Sequence, residues 1–177
     1  MNILGLDIST SITGATVLDK DENILYCEAW DTRNKKHFPT LLHKADFLKA
    51  KLLEVKRKFD ISNIYIEESL QSFRSGFSSA KTLSILSKIN GIVSYLAFDI
   101  FSTSPVHLSA ISARKACDIK VLRGQKAKMV VLENMLDKHD RFVISYTRSG
   151  NPSPGSFDRA DSLVIAIAGL KSWKEKN

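Results

Sequence analysis

The chain has 177 residues, of which 44% are hydrophobic and 25% charged, which excludes a disordered segment and favours one globular domain, residues 1–177. The formal net charge of +7 and the pI of about 9.4 favour a polyanionic partner, nucleic acid before a membrane surface. The two cysteines and four histidines show no zinc-ligand spacing. Two cysteines far apart in the chain, together with an N-terminus without a basic leader, indicate a reduced, cytoplasmic protein. The apolar stretch 163–170 is too short to cross a bilayer, so no membrane association is expected.

The first predicted element is a strand over Asn2–Asp7, an apolar run that ends in a single acid. Its composition indicates a central strand that is buried on both faces. Asp7 then lies where the backbone leaves the core, and a carboxylate there requires a metal ion, a basic side chain or backbone amides. The alternative is that Asp7 caps the small-residue turn that follows, Ser9-Thr10-Ser11.

Two more strands, at 12–18 and 24–30, are joined by short turns, which predicts an antiparallel meander. Gly14, inside the second strand, predicts a close backbone approach or a bulge near Asp7. A short apolar strand at 61–68 ends in acids, as the first strand does. Periodicity and turn residues also predict a helix at 38–58, a strand at 105–108, helices at 109–117 and 125–138, a loop at 149–155 and a last helix at 157–173.

A longer helix is predicted at 79–98, after a polar stretch at 71–79 that has the composition of a loop. One apolar stripe of this helix comprises Leu83, Leu86, Ile89, Val93 and Leu96, and a second comprises Ile85, Ile92 and Tyr95. A helix that is apolar on more than one face is either deeply buried or shared with a partner.

The order of these elements predicts an α/β fold with a five-stranded mixed sheet, three antiparallel strands followed by two parallel ones, flanked by helices. Right-handed crossovers place the fourth strand beside the first, so Glu67 or Glu68 is expected next to Asp7. The last helix opens with Asp158 and Asp161, which share one helix face. The alternative is capping, with Asp158 as the N-cap and Asp161 in the first turn, although capping requires only one acid.

Four acids are therefore predicted to converge at one end of the sheet: Asp7, one of Glu67 and Glu68, Asp158 and Asp161. Four carboxylates in one place repel one another unless divalent cations lie among them. Oxygen ligands without histidine or cysteine suit Mg²⁺ or Mn²⁺. Two such ions about 4 Å apart are the usual device for cutting a phosphodiester.

At this point the chain resembles the RuvC-type Holliday-junction resolvases of the ribonuclease-H-like superfamily. The resemblance rests on residues 3–7 with Thr13-Gly14, on Ile66-Glu67 and on residues 158–166, in this order over nearly the whole chain. It implies a ribonuclease-H-like fold and a Mg²⁺-dependent endonuclease that cuts four-way DNA junctions in recombination and repair, similar to phage-encoded resolvases. It further implies no small-molecule cofactor and two Mg²⁺ ions, replaceable by Mn²⁺, held by Asp7, Glu67, Asp158 and Asp161.

The resemblance also implies catalytic or DNA-contacting lysines before the last helix, where Lys115 and Lys126 fit best; an ordinary solvated basic face is the alternative. The loop after Glu67 is longer than in the bacterial enzymes, and it has Leu70 where an aromatic residue is expected. A phenylalanine of this loop is then expected to stack on bases, with core packing as the alternative. The residues expected to contact nucleic acid are Phe73, Arg74, Phe77, Arg114, Lys115, Lys120, Arg123, Lys126 and Lys128.

A four-way junction must be cut symmetrically on two strands, so a two-fold homodimer is expected. Ile85, Ile92 and Tyr95 are the candidate interface, and packing of these side chains under the loop at 71–78 is the alternative. Three other functions stay open: an actin-like ATP-binding domain, a non-catalytic nucleic-acid-binding module, and a related nuclease acting on flaps, forks or structured RNA. The single domain argues against the first, and the presence of all four acids argues against the second.

Overall fold

The structure, a computed structural model, describes residues 1–68 and 80–176. In this part of the chain the strands and helices follow the predicted order. The strands are β1 (Asn2–Asp7), β2 (Ile12–Asp19), β3 (Ile24–Asp31), β4 (Ile61–Glu67) and β5 (Val106–Leu108). The helices are α1 (Leu41–Lys58), α2 (Ala80–Phe101), α3 (Ala110–Ala116), α4 (Ala127–Lys138) and α5 (Ser156–Lys174).

One mixed sheet holds these strands in the order β3-β2-β1-β4-β5. β2 pairs antiparallel with both β1 and β3, whereas β4 lies parallel to β1 and β5 lies parallel to β4. The predicted α/β class and its mixed five-stranded sheet are confirmed. In the register, Asp7 is opposite Gly14 and Leu6 is opposite Ile66. Asp7 and Glu67 therefore end neighbouring strands at the same end of the sheet.

β1 is buried on both faces because helices cover both sides of the sheet. Leu4 and Leu6 belong to one core, together with Leu48 of α1 and residues of α2. Ile3 belongs to the opposite core, together with Leu163 of α5 and residues of α3 and α4. Burial of each of these side chains stabilises the folded state by roughly 2 kcal/mol. The end of β1 that carries Asp7 is thus held from two sides.

Two strand glycines allow α5 to lie directly on the sheet. A Cβ on Gly14 would lie 1.9 Å from the Asp158 carbonyl oxygen, and a Cβ on Gly5 would lie 2.6 Å from the Ala166 nitrogen. Contacts this short essentially do not occur, so only glycine permits the observed separation. The close approach predicted at Gly14 is therefore confirmed, and it brings the start of α5 next to the end of β1.

Two helices start more than one residue after the predicted position. α1 begins at Leu41 rather than at residue 38, because the Thr40 hydroxyl accepts a hydrogen bond from the His43 amide and caps the helix. α4 begins two residues later than predicted, with Lys126 at its N-cap position. The second difference matters for the site, because it changes which lysines of this segment lie within the helix.

Among the described residues, α2 is the helix that is long and apolar enough to cross a membrane, judged by length and composition. One of its faces packs on the sheet, where Ile89 and Val93 are fully buried. On the predicted second stripe, Ile85 and Ile92 are half-buried and Tyr95 is 65% exposed. In the single chain α2 therefore covers the sheet with one face and leaves apolar surface on the other.

Candidate active site at the end of the central strands

Asp7 is half-buried at the end of β1, where the chain leaves the core. The following turn is closed by Ser9, whose hydroxyl accepts hydrogen bonds from the amides of Ser11 and Ile12 and donates one to the Ile12 carbonyl oxygen. The alternative role of Asp7 as the cap of this turn is therefore filled by Ser9. The partly buried Asp7 carboxylate therefore still needs a positively charged group close to it.

Glu67 ends β4 beside β1 and is half-buried, whereas Glu68, the next residue, is exposed. Asn90 of α2, only 6% exposed, donates a hydrogen bond from Nδ2 to the Glu67 carbonyl oxygen over 3.0 Å. This bond ties the backbone that carries the Glu67 side chain to the buried face of α2. Of the two neighbouring acids, Glu67 is thus the one held inside the site.

Asp158 and Asp161 lie near the start of α5, which begins after Gly155. Gly155 adopts a left-handed conformation, with a φ of 88°, and occupies the N-cap position. Asp158 therefore lies in the first turn and is not the N-cap. Beneath the acids, Ser162 Oγ lies 2.8 Å from Thr16 Oγ1 of β2 in a buried hydrogen bond. This contact fixes the rotation of α5 on the sheet and with it the side on which both acids emerge.

Arg159, between the two acids, is a supporting residue that the sequence analysis missed. Its Nε donates a hydrogen bond to the Cys27 carbonyl oxygen of β3 over 3.0 Å. Its guanidinium carbon lies 5.3 Å from the centroid of the Phe142 ring, within the range of a cation–π contact. The available signal was a basic residue between the two acids, directly before the apolar part of the helix. Arg159 anchors the first turns of α5 to β3 and to the segment that precedes the helix.

The four carboxyl groups form one electrostatic cluster. Burial, followed by the charges of Glu67, Asp161 and Asp158, raises the pKa of Asp7 well above its usual 3.8. Burial and the Asp161 charge raise the pKa of Glu67 to about 7, and burial and the Asp158 charge raise the pKa of Asp161 to about 6. Burial also raises the pKa of Asp158. Full ionisation at neutral pH is therefore unfavourable without added positive charge.

Lys128 and Arg114 bring positive charge to this cluster. Lys128 Nζ, on α4, lies 3.9 Å from Asp161 Oδ2, and its charge acts to lower the pKa of all four carboxyl groups. Arg114, on α3, is half-buried, and its charge acts to lower the pKa of Glu67 and Asp161. The sequence analysis assigned both residues to nucleic-acid contact, and their place beside the acids was not foreseen.

The other predicted basic residues lie on the surface of the same segment. Those that are exposed are Lys115, Lys120, Arg123 and Lys126. Lys126 lies at the N-cap of α4, one position before the helix that carries Lys128. The predicted loop residues Leu70, Phe73, Arg74 and Phe77 lie outside the described residues. The structure thus gathers the acids and places Lys128 and Arg114 beside them, whereas the other four basic residues are exposed on the surface of this segment.

A cleft of about 170 Å³ opens at the cluster. It is lined by Asp7, Ile8, Ser9, Glu67, Glu68, Leu86, Lys128 and Asp158. Within residues 1–68 and 80–176, no three His, Cys, Asp or Glu side chains converge closely enough to form a ready-made metal cage. The donor set nevertheless consists of partly buried carboxylate oxygens that repel one another. By charge and donor type these residues fit a hard divalent cation such as Mg²⁺.

Comparison with known proteins gives matches in structure alone. No family model matches the sequence, and no curated protein matches it. RuvC of Thermus thermophilus in complex with a Holliday junction substrate superposes with a TM-score of 0.66 and 17% identity, covering 98% of this chain and 96% of RuvC. A second structure of the same RuvC gives 0.66 and 18%, covering 99% and 97%. The yeast mitochondrial Holliday junction resolvase Ydc2 gives 0.61 and 15%, covering 98% and 82%. The chain therefore has the ribonuclease-H-like fold that RuvC and Ydc2 share.

Proposed function

We propose that this chain is a Mg²⁺-dependent endonuclease that cuts four-way DNA junctions by phosphodiester hydrolysis, in the recombination or repair of branched DNA. The observation that carries the proposal is the carboxylate cluster at the end of the two central strands, formed by Asp7, Glu67, Asp158 and Asp161. The similar RuvC structure is a complex with a Holliday junction. The net charge of +7 also favours a polyanionic substrate.

The four acids would hold the divalent ions through their carboxylate oxygens. Two bound Mg²⁺ ions, or Mn²⁺ in their place, supply the activation of water and the stabilisation of the leaving oxygen in this kind of hydrolysis. The protein's own contribution is to fix the acids on rigid elements, β1, β4 and α5. Lys115 and Lys126 are proposed to neutralise the phosphate near the scissile bond. The neighbouring basic residues would position the DNA backbone.

A second copy of the chain is proposed to dock on the α1–α2 face, because a junction has two equivalent strands to cut. A groove of about 410 Å³ lies there, lined by Leu42, His43, Ala45, Asp46, Lys49, Ile92 and Leu96. Leu42 is 73% exposed and Tyr95 is 65% exposed, so the groove adjoins apolar surface that a partner would cover. The rim of the groove carries polar side chains, including Asp46 and Lys49. Across a two-fold axis, the polar side chains of one copy would bond to those of the other copy.

Cleavage of a four-way junction in Mg²⁺, with each acid neutralised in turn, tests the nuclease proposal. We expect Asp7→Asn, Glu67→Gln, Asp158→Asn and Asp161→Asn each to lower the cleavage rate by roughly 100-fold or more, since each removes a charged ligand. Junction binding in the absence of metal should persist. Glu133→Gln is the control and should retain cleavage, because Glu133 is exposed on α4 and does not line the cleft. Full activity of Asp161→Asn in Mg²⁺ would contradict the assignment.

A parallel set of substrates tests the proposed specificity. A four-way junction, a flap, a fork, linear duplex DNA and structured RNA should be compared at equal concentration and ionic strength. Faster cutting of the junction supports a resolvase. Faster cutting of the flap or the RNA would support nuclease activity on a different substrate. If no substrate is cut in Mg²⁺ or Mn²⁺, the proposed nuclease activity is refuted.

Alanine substitution tests the two lysines. We expect Lys115→Ala and Lys126→Ala to slow cleavage of bound junction, because less positive charge then faces the transition state. Lys20→Ala, an exposed lysine beyond the opposite end of β2, is the control and should alter only salt-dependent binding. Equal small effects at the three positions would identify Lys115 and Lys126 as ordinary surface charges.

The proposed dimer is tested by Ile85→Asp combined with Ile92→Asp, with Val143→Asp, an exposed apolar position outside α1 and α2, as the control. Sedimentation should show a dimer for the wild type and the control and a folded monomer for the double variant. The monomer should nick junctions without making paired cuts. A wild type that sediments as a monomer with junction bound would refute the paired arrangement.

A further inference from the structure

We propose that the Lys128 ammonium group is the resident cation of the carboxylate cluster and that a divalent metal ion displaces it on binding. The proposal rests on the metal site of the proposed function, and it concerns the competition between this chain's own lysine and the ion. In this arrangement the metal-free protein keeps its four acids together by an internal charge. Metal binding is then an exchange of one cation for another.

The position of Lys128 makes it the natural occupant of the cleft. It is the second residue of α4, and it lines the cleft together with Asp7, Glu67 and Asp158. Its Nζ lies 3.9 Å from Asp161 Oδ2. Lys128 thus faces the same acids that a divalent cation would bind.

The same contact is loose enough to be broken. A charge-assisted hydrogen bond between an ammonium and a carboxylate is about 2.7–2.9 Å long, so a separation of 3.9 Å is an ion pair without that bond. The Lys128 side chain is 65% exposed, and it has a flexible four-carbon stem. The ammonium group can therefore leave the cleft by side-chain rotation alone.

The charge distribution explains why an internal cation is useful. Four partly buried carboxyl groups repel one another, and the Lys128 charge acts on every one of them. The charge of Arg114 acts on Glu67 and Asp161. The Lys128 cation thus acts on the whole cluster, whereas Arg114 acts on part of it. A divalent ion among the same oxygens would repel the ammonium and compensate the acids more strongly.

Lys128→Met tests the exchange, because methionine keeps an unbranched side chain of similar length and removes the charge. Lys128→Arg keeps the charge, and Lys126→Met is a matched control two residues away on the same segment. Each full-length protein is titrated with Mn²⁺ in a calorimeter, without DNA, at low and at high salt. Thermal unfolding in EDTA is recorded for the same proteins.

We expect Lys128→Met to bind Mn²⁺ about threefold to tenfold more tightly than the wild type, because the competing charge is gone. The Lys128 side chain is 65% exposed, which limits the effect. The difference should shrink at high salt. In EDTA the same variant should unfold about 2 °C lower, since the acids lose their internal cation. Lys128→Arg and Lys126→Met should stay close to the wild type in both measurements.

Each outcome has a definite meaning. Wild-type Mn²⁺ affinity and wild-type unfolding in EDTA for Lys128→Met would overturn the exchange. The same gain in affinity for Lys126→Met would also overturn it, because general surface charge would then be the cause. A wild type that binds no Mn²⁺ would overturn both the exchange and the metal site. If Lys128→Met binds Mn²⁺ more tightly but the wild type cuts no nucleic acid, the exchange is supported and only the proposed nuclease activity is refuted.

Discussion

Replacing Asp161 with asparagine is expected to stabilise the metal-free protein at about pH 8. The wild-type carboxyl group has a usual pKa of 3.8 in the unfolded chain and a pKa of about 6 in the folded one. The native state therefore binds this proton more tightly than the unfolded state does between these values, and its stability falls as the pH rises through that window. Below about pH 4 both states hold the proton and the penalty is absent.

The size of the effect follows from the pKa change. A difference of one pKa unit corresponds to about 1.4 kcal/mol, so the ionised Asp161 costs the native state roughly 3 kcal/mol above pH 6. This value already includes the attraction of Lys128, which acts in the opposite direction. Asparagine resembles the protonated acid in shape and removes the penalty. We therefore expect a gain of about 2–3 kcal/mol, or a rise in Tm of about 4–12 °C for a chain of this length.

Thermal unfolding in EDTA at about pH 8 and about pH 4.5 measures this difference. Asp161→Asn should be more stable than the wild type at both pH values, with about a third of the gain left at the lower one. Asp140→Asn, at an exposed position after α4, is the control and should change little at either pH. A variant that is no more stable than the wild type at about pH 8, or whose gain does not shrink in acid, would refute the picture of mutually repelling buried acids.

Gly14→Ala should destabilise the fold by several kcal/mol and reduce cleavage, because its Cβ would lie 1.9 Å from the Asp158 carbonyl oxygen and displace the start of α5. Gly91→Ala is the matched control in urea unfolding and should be neutral or stabilising by about 0.5–1 kcal/mol, since no atom lies within 4 Å of its Cβ. Asn90→Ala should cost about 1–2 kcal/mol in the same measurement and slow cleavage in Mg²⁺, because the Glu67 carbonyl oxygen loses its donor. Unchanged stability of Asn90→Ala would show that this hydrogen bond does not hold the end of β4.

The sheet and its acidic end were predictable because their signals are local and mutually consistent. Apolar runs that end in Asp7 and in Glu67 indicate two buried strands, and the handedness of crossovers makes those strands neighbours. Gly14 indicated a close backbone approach or a bulge near Asp7, and the structure shows that α5 is the element that approaches. These inferences depend on the spacing of the apolar residues and on the direction of the chain, and both can be read from the sequence.

The placement of the basic residues was not predictable in the same way. Because α4 starts at residue 127 instead of 125, Lys126 lies at the N-cap outside the helix and Lys128 lies in its first turn. Lys126 and Lys128 are equivalent in composition, and only the packing of α4 on α5 separates them. The contacts of Arg159 with Cys27 and Phe142 join residues far apart in the chain, and no periodic pattern encodes them.

The two strand glycines under α5 also define how this site could be transplanted. The close main-chain contacts at Gly5 and Gly14 limit how far apart the helix and the strands lie. A designer could therefore exchange the surrounding aliphatic residues, provided that their volume is kept, without altering the spacing between Asp7 and the acids of α5. The unit to transfer consists of β1 and β2, with glycine at the positions of Gly5 and Gly14, and of α5, which packs on both strands. A scaffold with alanine at either position would carry the same acids at a different separation.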